Sequence, residues 1–166
     1  MSSYKSYIPL IIIGILVLAL FLGVVFVLVF GLQTPLSQTF DTSNMKPTVN
    51  ILLYVGEMNG QSGFGYTTTA LTSPGPTLRF KISDIVNITV VNVGDRAYAF
   101  ALTDVPHTGA SVLFRAEIGS INNPIQPGQT GSVIFKPYYA SRTFFYTSPL
   151  SGDAEIGLYG SVLIGG

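Results

Sequence analysis

The chain has 166 residues, enough for one ordinary domain and an attached segment. Basic and acidic residues both number eight, so the formal net charge is zero and nothing in the balance indicates a nucleic-acid partner. There is no cysteine, which excludes disulfides, iron–sulfur clusters and thiolate metal sites. Charged residues make up only 10% of the chain, against about 25% in a typical soluble domain.

The N-terminal part accounts for much of this low charge. Residues 1–7 form a short tail, and residues 8–32 are almost wholly apolar. As a helix, this run would be about 37 Å long, enough to cross a hydrocarbon core of about 30 Å. It is longer than the apolar core of a secretory signal and is followed by no small-residue cleavage site. The sequence therefore predicts a single transmembrane helix.

The orientation of this helix rests on one charge. Lys5 is the only charged residue before the apolar run, and no further charge follows until Asp41. Because positive residues stay on the cytoplasmic side, we expect a single-pass protein of the cell membrane with its N-terminus in the cytoplasm and its C-terminal domain outside.

The rest of the chain predicts a linker and one β domain. Residues 33–46 are polar and aperiodic, which is typical of a linker, and residues 47–166 alternate β-rich runs with turn signals. Period-two alternation, as in Leu78, Phe80 and Ile82, predicts an antiparallel sandwich or barrel. The predicted runs are 50–55, 77–82, 86–93, 130–136, 143–147 and 161–164. The glycine-rich stretch 60–66 is interpreted as a mobile hairpin loop, because it lacks the strand and helix that flank a phosphate-binding turn.

Three stretches in this domain resemble a cupredoxin. They are PGPTLRFKISDIVNITVVN (residues 74–92), IQPGQTGSVIFKP (residues 125–137) and FFYTSPLSGDAEIGLYGSVLI (residues 144–164). With one N-terminal helix added, the chain resembles subunit II of the haem–copper terminal oxidases in its one-helix form. The resemblance implies an all-β, cupredoxin-like Greek-key sandwich preceded by a single transmembrane α-helix.

The resemblance extends to the spacing of a metal loop but not to its ligands. The family's two-copper centre has the spacing Cys-x3-Cys-x3-His-x2-Met before a closing aromatic–Gly strand, here Tyr159–Gly160. A further histidine lies in an earlier strand, and a backbone carbonyl lies between the cysteines. Taken in the order Cys, Cys, His, Met, earlier His and carbonyl, the matching positions are Thr147, Ser151, Glu155, Leu158, Tyr98 and Pro149.

None of these side chains is a copper ligand of the family. Copper electron transfer requires thiolate and imidazole donors, and this chain has no thiol and a single imidazole, His107. The sequence therefore predicts no catalytic, cofactor-binding or metal-binding residue in this chain, with haem and copper expected in a partner subunit.

Two carboxylates in the same loop leave other chemistry open. Asp153 and Glu155, with Asp104 and His107, would supply part of a hard-cation site, although such sites use a fuller set of oxygens. The same pair would also suit general acid–base work, but the sequence suggests no nucleophile or pocket beside it. A solvated or partner-facing turn remains the simplest interpretation. Asn87 begins a single N-glycosylation sequon.

The function follows from the resemblance. Quinol oxidases of this family have a copper-free subunit II, because the membrane-soluble donor reacts at the large haem subunit. The chain is thus expected to be a non-catalytic subunit II of a quinol-oxidising terminal oxidase in aerobic respiration. It would dock through residues 151–159 on the outer face of the haem-bearing subunit I, among other integral membrane subunits and the lipid bilayer.

Other functions remain open at this point. The first alternative is a membrane-anchored surface or filament protein, such as an archaeal pilin-like subunit, although no basic-residue–Gly processing site precedes the apolar run. A further alternative is an anchored cupredoxin-like chaperone or ligand-binding module.

Overall fold

A computed structural model describes residues 44–140 and 143–166. The tail, the predicted transmembrane helix and residues 33–43 of the predicted linker lie outside the described residues. Within the described ranges, no helix has the length and apolar character needed to span a membrane.

The described chain is built from β-strands that form two sheets, of four and five strands. The strand order is β2-β1-β4-β7 in the first sheet and β3-β9-β8-β5-β6 in the second. In chain order the strands are β1 (Val49–Met58), β2 (Gln61–Gly65), β3 (Gly75–Lys81), β4 (Val86–Asn92), β5 (Phe100–Thr103), β6 (Val112–Ile118), β7 (Thr130–Phe135), β8 (Thr143–Thr147) and β9 (Tyr159–Gly165).

Strand directions differ from the expected antiparallel arrangement. The pairs β1–β4 and β3–β9 are parallel, whereas the other paired strands are antiparallel. Alternation of apolar residues reports which face of a strand is buried, and it carries no information on the direction of the neighbouring strand. The expectation of a purely antiparallel sandwich is therefore wrong, although the two-sheet sandwich itself is present.

Alternating apolar residues form the core, as predicted. In β4, Val86, Ile88 and Val90 are fully buried between partly exposed neighbours. In β8, Phe144 and Tyr146 are buried and Phe145 lies on the other face. Because each strand turns one row of side chains inward, the two sheets enclose a single hydrophobic cluster.

The glycine-rich stretch 60–66 is a strand and not the expected mobile loop. Residues 61–65 form β2, which pairs with β1, and Phe64 is fully buried. A side chain at Gly63 or Gly65 would collide with the backbone of the segment around Thr72 and Ala70. The glycines therefore allow a close backbone approach, which is a role that composition alone does not distinguish from loop flexibility.

The register of the strands defines two ends of the sandwich. At one end, which we call the base, Val49 pairs with Val86 and Val86 pairs with Phe135. The opposite end, the tip, has the turn between β1 and β2, the segment after Asn92 and the loop between β8 and β9. Ion pairs from Arg96 join these three segments.

Candidate functional site

The loop between β8 and β9, residues 148–158, is tightly folded by its own backbone. Asp153 N–H donates to the carbonyl of Leu150 at 3.1 Å, and Leu158 N–H donates to the carbonyl of Asp153 at 3.0 Å. Gly152 and Gly157 adopt positive φ values of 84° and 95°, which suit glycine and allow two reversals in a short segment. The loop thus forms the expected hairpin between paired strands.

The six positions that match copper ligands of the oxidase family differ in their exposure and bonding. Thr147 and Leu158 are fully buried, and the Thr147 hydroxyl donates to the Leu158 carbonyl at 3.0 Å. Tyr98 is also fully buried, while Ser151 and Glu155 are exposed. Among residues 44–140 and 143–166, no cluster of three or more His, Cys, Asp or Glu side chains could hold a metal ion.

Instead, the tip is organised around one arginine. The Arg96 guanidinium lies 2.9 Å (Nη2) from Asp153 Oδ1 and 3.4 Å (Nε) from Glu57 Oε1. It also donates to the Ser62 hydroxyl at 3.0 Å and sits 4.2 Å above the centre of the Tyr98 ring. These five residues, here called the Arg96 cluster, join the loop 148–158 to β1, β2 and the segment before β5.

The charges in the Arg96 cluster affect its titrating groups. Burial, the largest single effect, acts to lower the pKa of Arg96, but the hydrogen bond and charge of Asp153, together with Tyr98 and Glu57, outweigh it, so the pKa is raised. Burial raises the pKa of Tyr98, although the hydrogen bond with Ser62 and the charge of Arg96 oppose this effect. The guanidinium is therefore fixed in its charged form and the phenol in its neutral form at physiological pH.

The location of Asp153 corrects its interpretation as a solvated or partner-facing turn residue. The residue is only 3% exposed, and its Oδ1 atom faces Arg96. Its Oδ2 atom is buried without a hydrogen-bond partner among the described residues. A buried carboxylate is costly unless an opposite charge compensates it, so Arg96 is what allows Asp153 to lie inside the protein.

Glu155 has a different role from Asp153. Its carboxylate accepts hydrogen bonds from the Thr108 backbone N–H at 3.0 Å and from the Thr108 hydroxyl at 2.8 Å, and it lies 3.7 Å from His107 Nε2. The pKa of Glu155 is lowered, first by the backbone hydrogen bond and then by the hydroxyl. Glu155 thus fastens the loop 148–158 to the β5–β6 loop. The carboxylates of Asp153 and Glu155 point to different partners and do not form the predicted hard-cation set.

The outer side of the loop 148–158 combines polar and apolar groups. Ser151 and Glu155 are exposed, and Ile156 is 62% exposed. Pro149 and Tyr159 are half-buried, and the Tyr159 ring meets Phe145 edge-on at 6.1 Å. Of the predicted contact segment 151–159, the exposed residues are therefore Ser151, Gly152, Glu155 and Ile156, whereas Asp153, Ala154 and Leu158 are buried.

Sequence reasoning missed three members of the Arg96 cluster. Arg96, Glu57 and Ser62 come from separate segments, and no spacing rule links them to Asp153. The available signal was the scarcity of charge. In a chain with so few charged residues, Glu57 at the end of an otherwise apolar run and Arg96 beside Tyr98 stand out.

The sandwich of two mixed sheets, with a structured loop between its last two strands, defines a cupredoxin-like domain. A family model described as multicopper oxidase matches residues 59–166, and the chain belongs to this family. Among curated proteins, none matches the sequence.

Solved structures show the same fold at low sequence identity. A multi-copper oxidase from Pseudomonas thermotolerans is similar with 20% identity and a TM-score of 0.52, over 72% of this chain and 30% of that protein. A laccase from Botrytis aclada gives 22% identity and a TM-score of 0.53, over 76% and 24%. Auracyanin B gives 13% identity and a TM-score of 0.53, over 74% and 93%. The chain thus spans less than two fifths of the first multicopper oxidases that it matches.

Family membership corrects one prediction. The expectation that the chain has no cofactor is contradicted, because the family that matches residues 59–166 is that of the multicopper oxidases, and similar solved structures are copper proteins by name. The side chains of Thr147 and of the loop 148–158 do not themselves fit a copper ion. The Thr147 hydroxyl is bonded to a backbone carbonyl, Glu155 is bonded to Thr108, and Leu158 has no donor atom in its side chain.

Proposed function

We propose that this chain is a subunit II of a membrane-bound, quinol-oxidising terminal oxidase and that it acts by contact with a large haem-bearing membrane subunit. The observation that carries the proposal is that the loop 148–158 has a fixed shape and an exposed apolar side chain. The cupredoxin-like frame keeps this loop in a fixed shape through Arg96–Asp153 and Thr108–Glu155, and the loop exposes an isoleucine at its surface.

A fixed loop with an apolar residue suits binding. Ile156 directly follows the two anchored carboxylates, Asp153 and Glu155, so little conformational freedom remains to be lost when a partner covers it. An isolated exposed apolar side chain is ordinary on a protein surface, but one carried by a loop with this many internal bonds is well placed as a contact residue. We therefore assign Ser151, Glu155 and Ile156 to the partner surface.

Membrane attachment would bring the domain to its partner. The apolar run 8–32 and Lys5 support a single-pass anchor with the domain outside the cell. The linker 33–46 reaches at most about 50 Å when fully extended, and the ten residues of β1 give the sandwich a length of about 33 Å. The domain can therefore lie along the membrane surface, with its tip over a neighbouring membrane protein.

The test is what accompanies the full chain after gentle detergent extraction. We expect a large haem-bearing membrane protein, identified by mass spectrometry and by its visible spectrum. Ile156→Asp should reduce the recovered haem, whereas Leu52→Asp, at a residue 45% exposed in the middle of β1 and away from the tip, should not. Recovery of the wild-type chain as a stable lone protein without haem absorbance would overturn the proposal.

The family assignment favours a second candidate function. The chain spans only 24–38% of the first multicopper oxidases that it matches, so it is similar to one part of those proteins. In this hypothesis the domain belongs to a copper-dependent oxidase assembled from several chains, and other chains supply copper ligands. Copper that co-purifies in fixed ratio with the assembly, in the absence of haem, would favour this candidate. The filament alternative would instead give polymers visible by electron microscopy.

A further inference from the structure

The base of the sandwich has an exposed tyrosine supported by other aromatic rings. Tyr138 is 63% exposed, and its ring meets Phe114 at 5.0 Å and Tyr139 at 4.9 Å. Phe114 is buried and stacks on Phe135 at 6.1 Å, which ties the exposed ring to the core. We call Tyr138 with Tyr139 and Phe114 the Tyr138 platform. A tyrosine ring packed on apolar rings, with its polar hydroxyl at the outer end, suits a boundary between water and an apolar phase.

The described chain also begins at the base. Thr48 Oγ1 accepts a hydrogen bond from Ile85 N–H at 3.0 Å, and Val49 N–H donates to the Ile85 carbonyl at 3.1 Å. These bonds fix Thr48 and Val49 beside the β3–β4 turn. The apolar run 8–32 therefore connects, through the linker, to the same end of the sandwich that carries the Tyr138 platform.

Charges are divided between the two ends of the domain. Lys46, Lys81 and Lys136 are exposed at the base. The carboxylate that accompanies them, Asp84, is partly buried and accepts a hydrogen bond from Lys81 N–H at 2.7 Å. At the tip, in contrast, the carboxylates of Glu57, Asp153 and Glu155 are found with Arg96, and exposed Asp95 adjoins the arginine. The base is thus the more positive end of a chain with no net charge.

We propose that the base of this domain rests on an anionic lipid surface, with the Tyr138 ring at the level of the headgroups and the three lysines facing lipid phosphates. Tyrosine is enriched at membrane interfaces, and lysines are attracted to an anionic surface within a Debye length of about 8 Å. The inference rests on the membrane anchorage in the proposed function. It is compatible with a tip contact, because a domain lying along the membrane can place its base on lipid and its tip on a neighbouring protein.

The test uses the absence of cysteine from the chain. Ser83→Cys places a single thiol in the exposed turn at the base, and Gln61→Cys places one at the tip. Each full-length variant is labelled with an environment-sensitive fluorophore and reconstituted in phosphatidylcholine vesicles with or without phosphatidylglycerol. With a lipid-borne quencher, we expect quenching at position 83 to exceed that at position 61 by about twofold or more, and to be greatest in anionic vesicles.

Two surface tyrosines provide a matched pair of variants. In the position-83 background, Tyr138→Ser should reduce quenching, whereas Tyr66→Ser, at a tyrosine 52% exposed outside the base, should leave it unchanged. Equal quenching at positions 83 and 61, or no effect of Tyr138→Ser, would overturn the proposal.

Flotation of the same vesicles distinguishes a failure of this proposal from a failure of the proposed membrane anchor. If the chain floats with vesicles but position 83 is no more quenched than position 61, the lipid-facing base is wrong and the anchor stands. If the chain does not float, the anchorage fails and the inference fails with it.

Discussion

Replacing Arg96 by methionine tests whether one ion pair holds the loop 148–158. Methionine keeps much of the apolar length of arginine but removes the charge that faces Asp153 and the donor to Ser62. The buried carboxylate would then lose its compensating charge, while its Oδ2 atom already has no hydrogen-bond partner among the described residues. We expect the loop to open at its Asp153 end.

The geometry sets the size of the effect. At 2.9 Å and an effective dielectric constant of about 20, the attraction between the two charges is about 6 kcal/mol. Desolvation of the carboxylate offsets part of this, and Arg96 is 37% exposed, so water screens the pair. We therefore expect Arg96→Met to lower the free energy of unfolding by about 2–3 kcal/mol, a large fraction of the 5–15 kcal/mol typical of a domain.

Thermal or denaturant unfolding measures this loss, and hydrogen exchange of residues 148–158 measures the local opening. Arg79→Met is the control, because Arg79 is exposed on β3 and has no ion pair in the described part of the chain; its effect should stay within about 0.5 kcal/mol. In the Arg96→Met background, Asp153→Asn should lower the free energy of unfolding by about 1–2 kcal/mol less than it does in the wild type. Strictly additive effects would refute the assigned role of the pair.

Three further substitutions probe other contacts. Glu155→Gln should speed hydrogen exchange at Thr108. Since the pKa of Glu155 is lowered in the folded protein, its contribution is complete above the ordinary carboxyl range and disappears as the pH falls through the lowered value. A protection factor at Thr108, corrected for the intrinsic pH dependence of exchange, that did not fall with the pH would contradict this. Gly160→Ala should destabilise by about 1–3 kcal/mol, because its methyl group would meet the buried Tyr146 ring, whereas Gly165→Ala in the same strand has room; equal melting temperatures would contradict this. Tyr146→Phe removes a 2.7 Å hydrogen bond to a backbone carbonyl and should cost about 1 kcal/mol in a melting experiment, and a neutral result would count against that bond.

Much of the sheet structure was predictable because a strand with one buried face has an apolar residue at every second position. Strand β8 has the predicted bounds, and the inward row of β4 is the predicted one. The prediction failed for strands that lack this alternation of apolar residues. Strand β2 consists mainly of small and polar residues, and β6 departs from regular strand geometry, with positive φ at Phe114 and Arg115. The parallel pairs could not be foreseen, since strand direction depends on connections across the whole fold.

The candidate site was predictable in position but not in chemistry. The spacing before Tyr159 located the loop 148–158, and the hairpin is where that spacing requires it. The partners of its carboxylates were not visible, because Arg96 and Thr108 are remote from the loop in sequence and approach it only when the sheets pack. Ion pairs between segments that are remote in sequence cannot be identified from the number or spacing of the charged residues. The lack of a cofactor was inferred from local donors, and family membership contradicted it.

The bonds that shape the loop 148–158 all come from the protein chain. Its two ends are joined by Thr147 and Leu158, its middle by Asp153 to Arg96, and its outer turn by Glu155 to Thr108. We therefore expect these protein bonds to hold the loop in its shape without a contribution from a bound metal ion. If a chelator treatment that strips all metal from the purified assembly were to raise hydrogen exchange across residues 148–158 as much as Arg96→Met does, a metal ion would have to share the role assigned here to the ion pair.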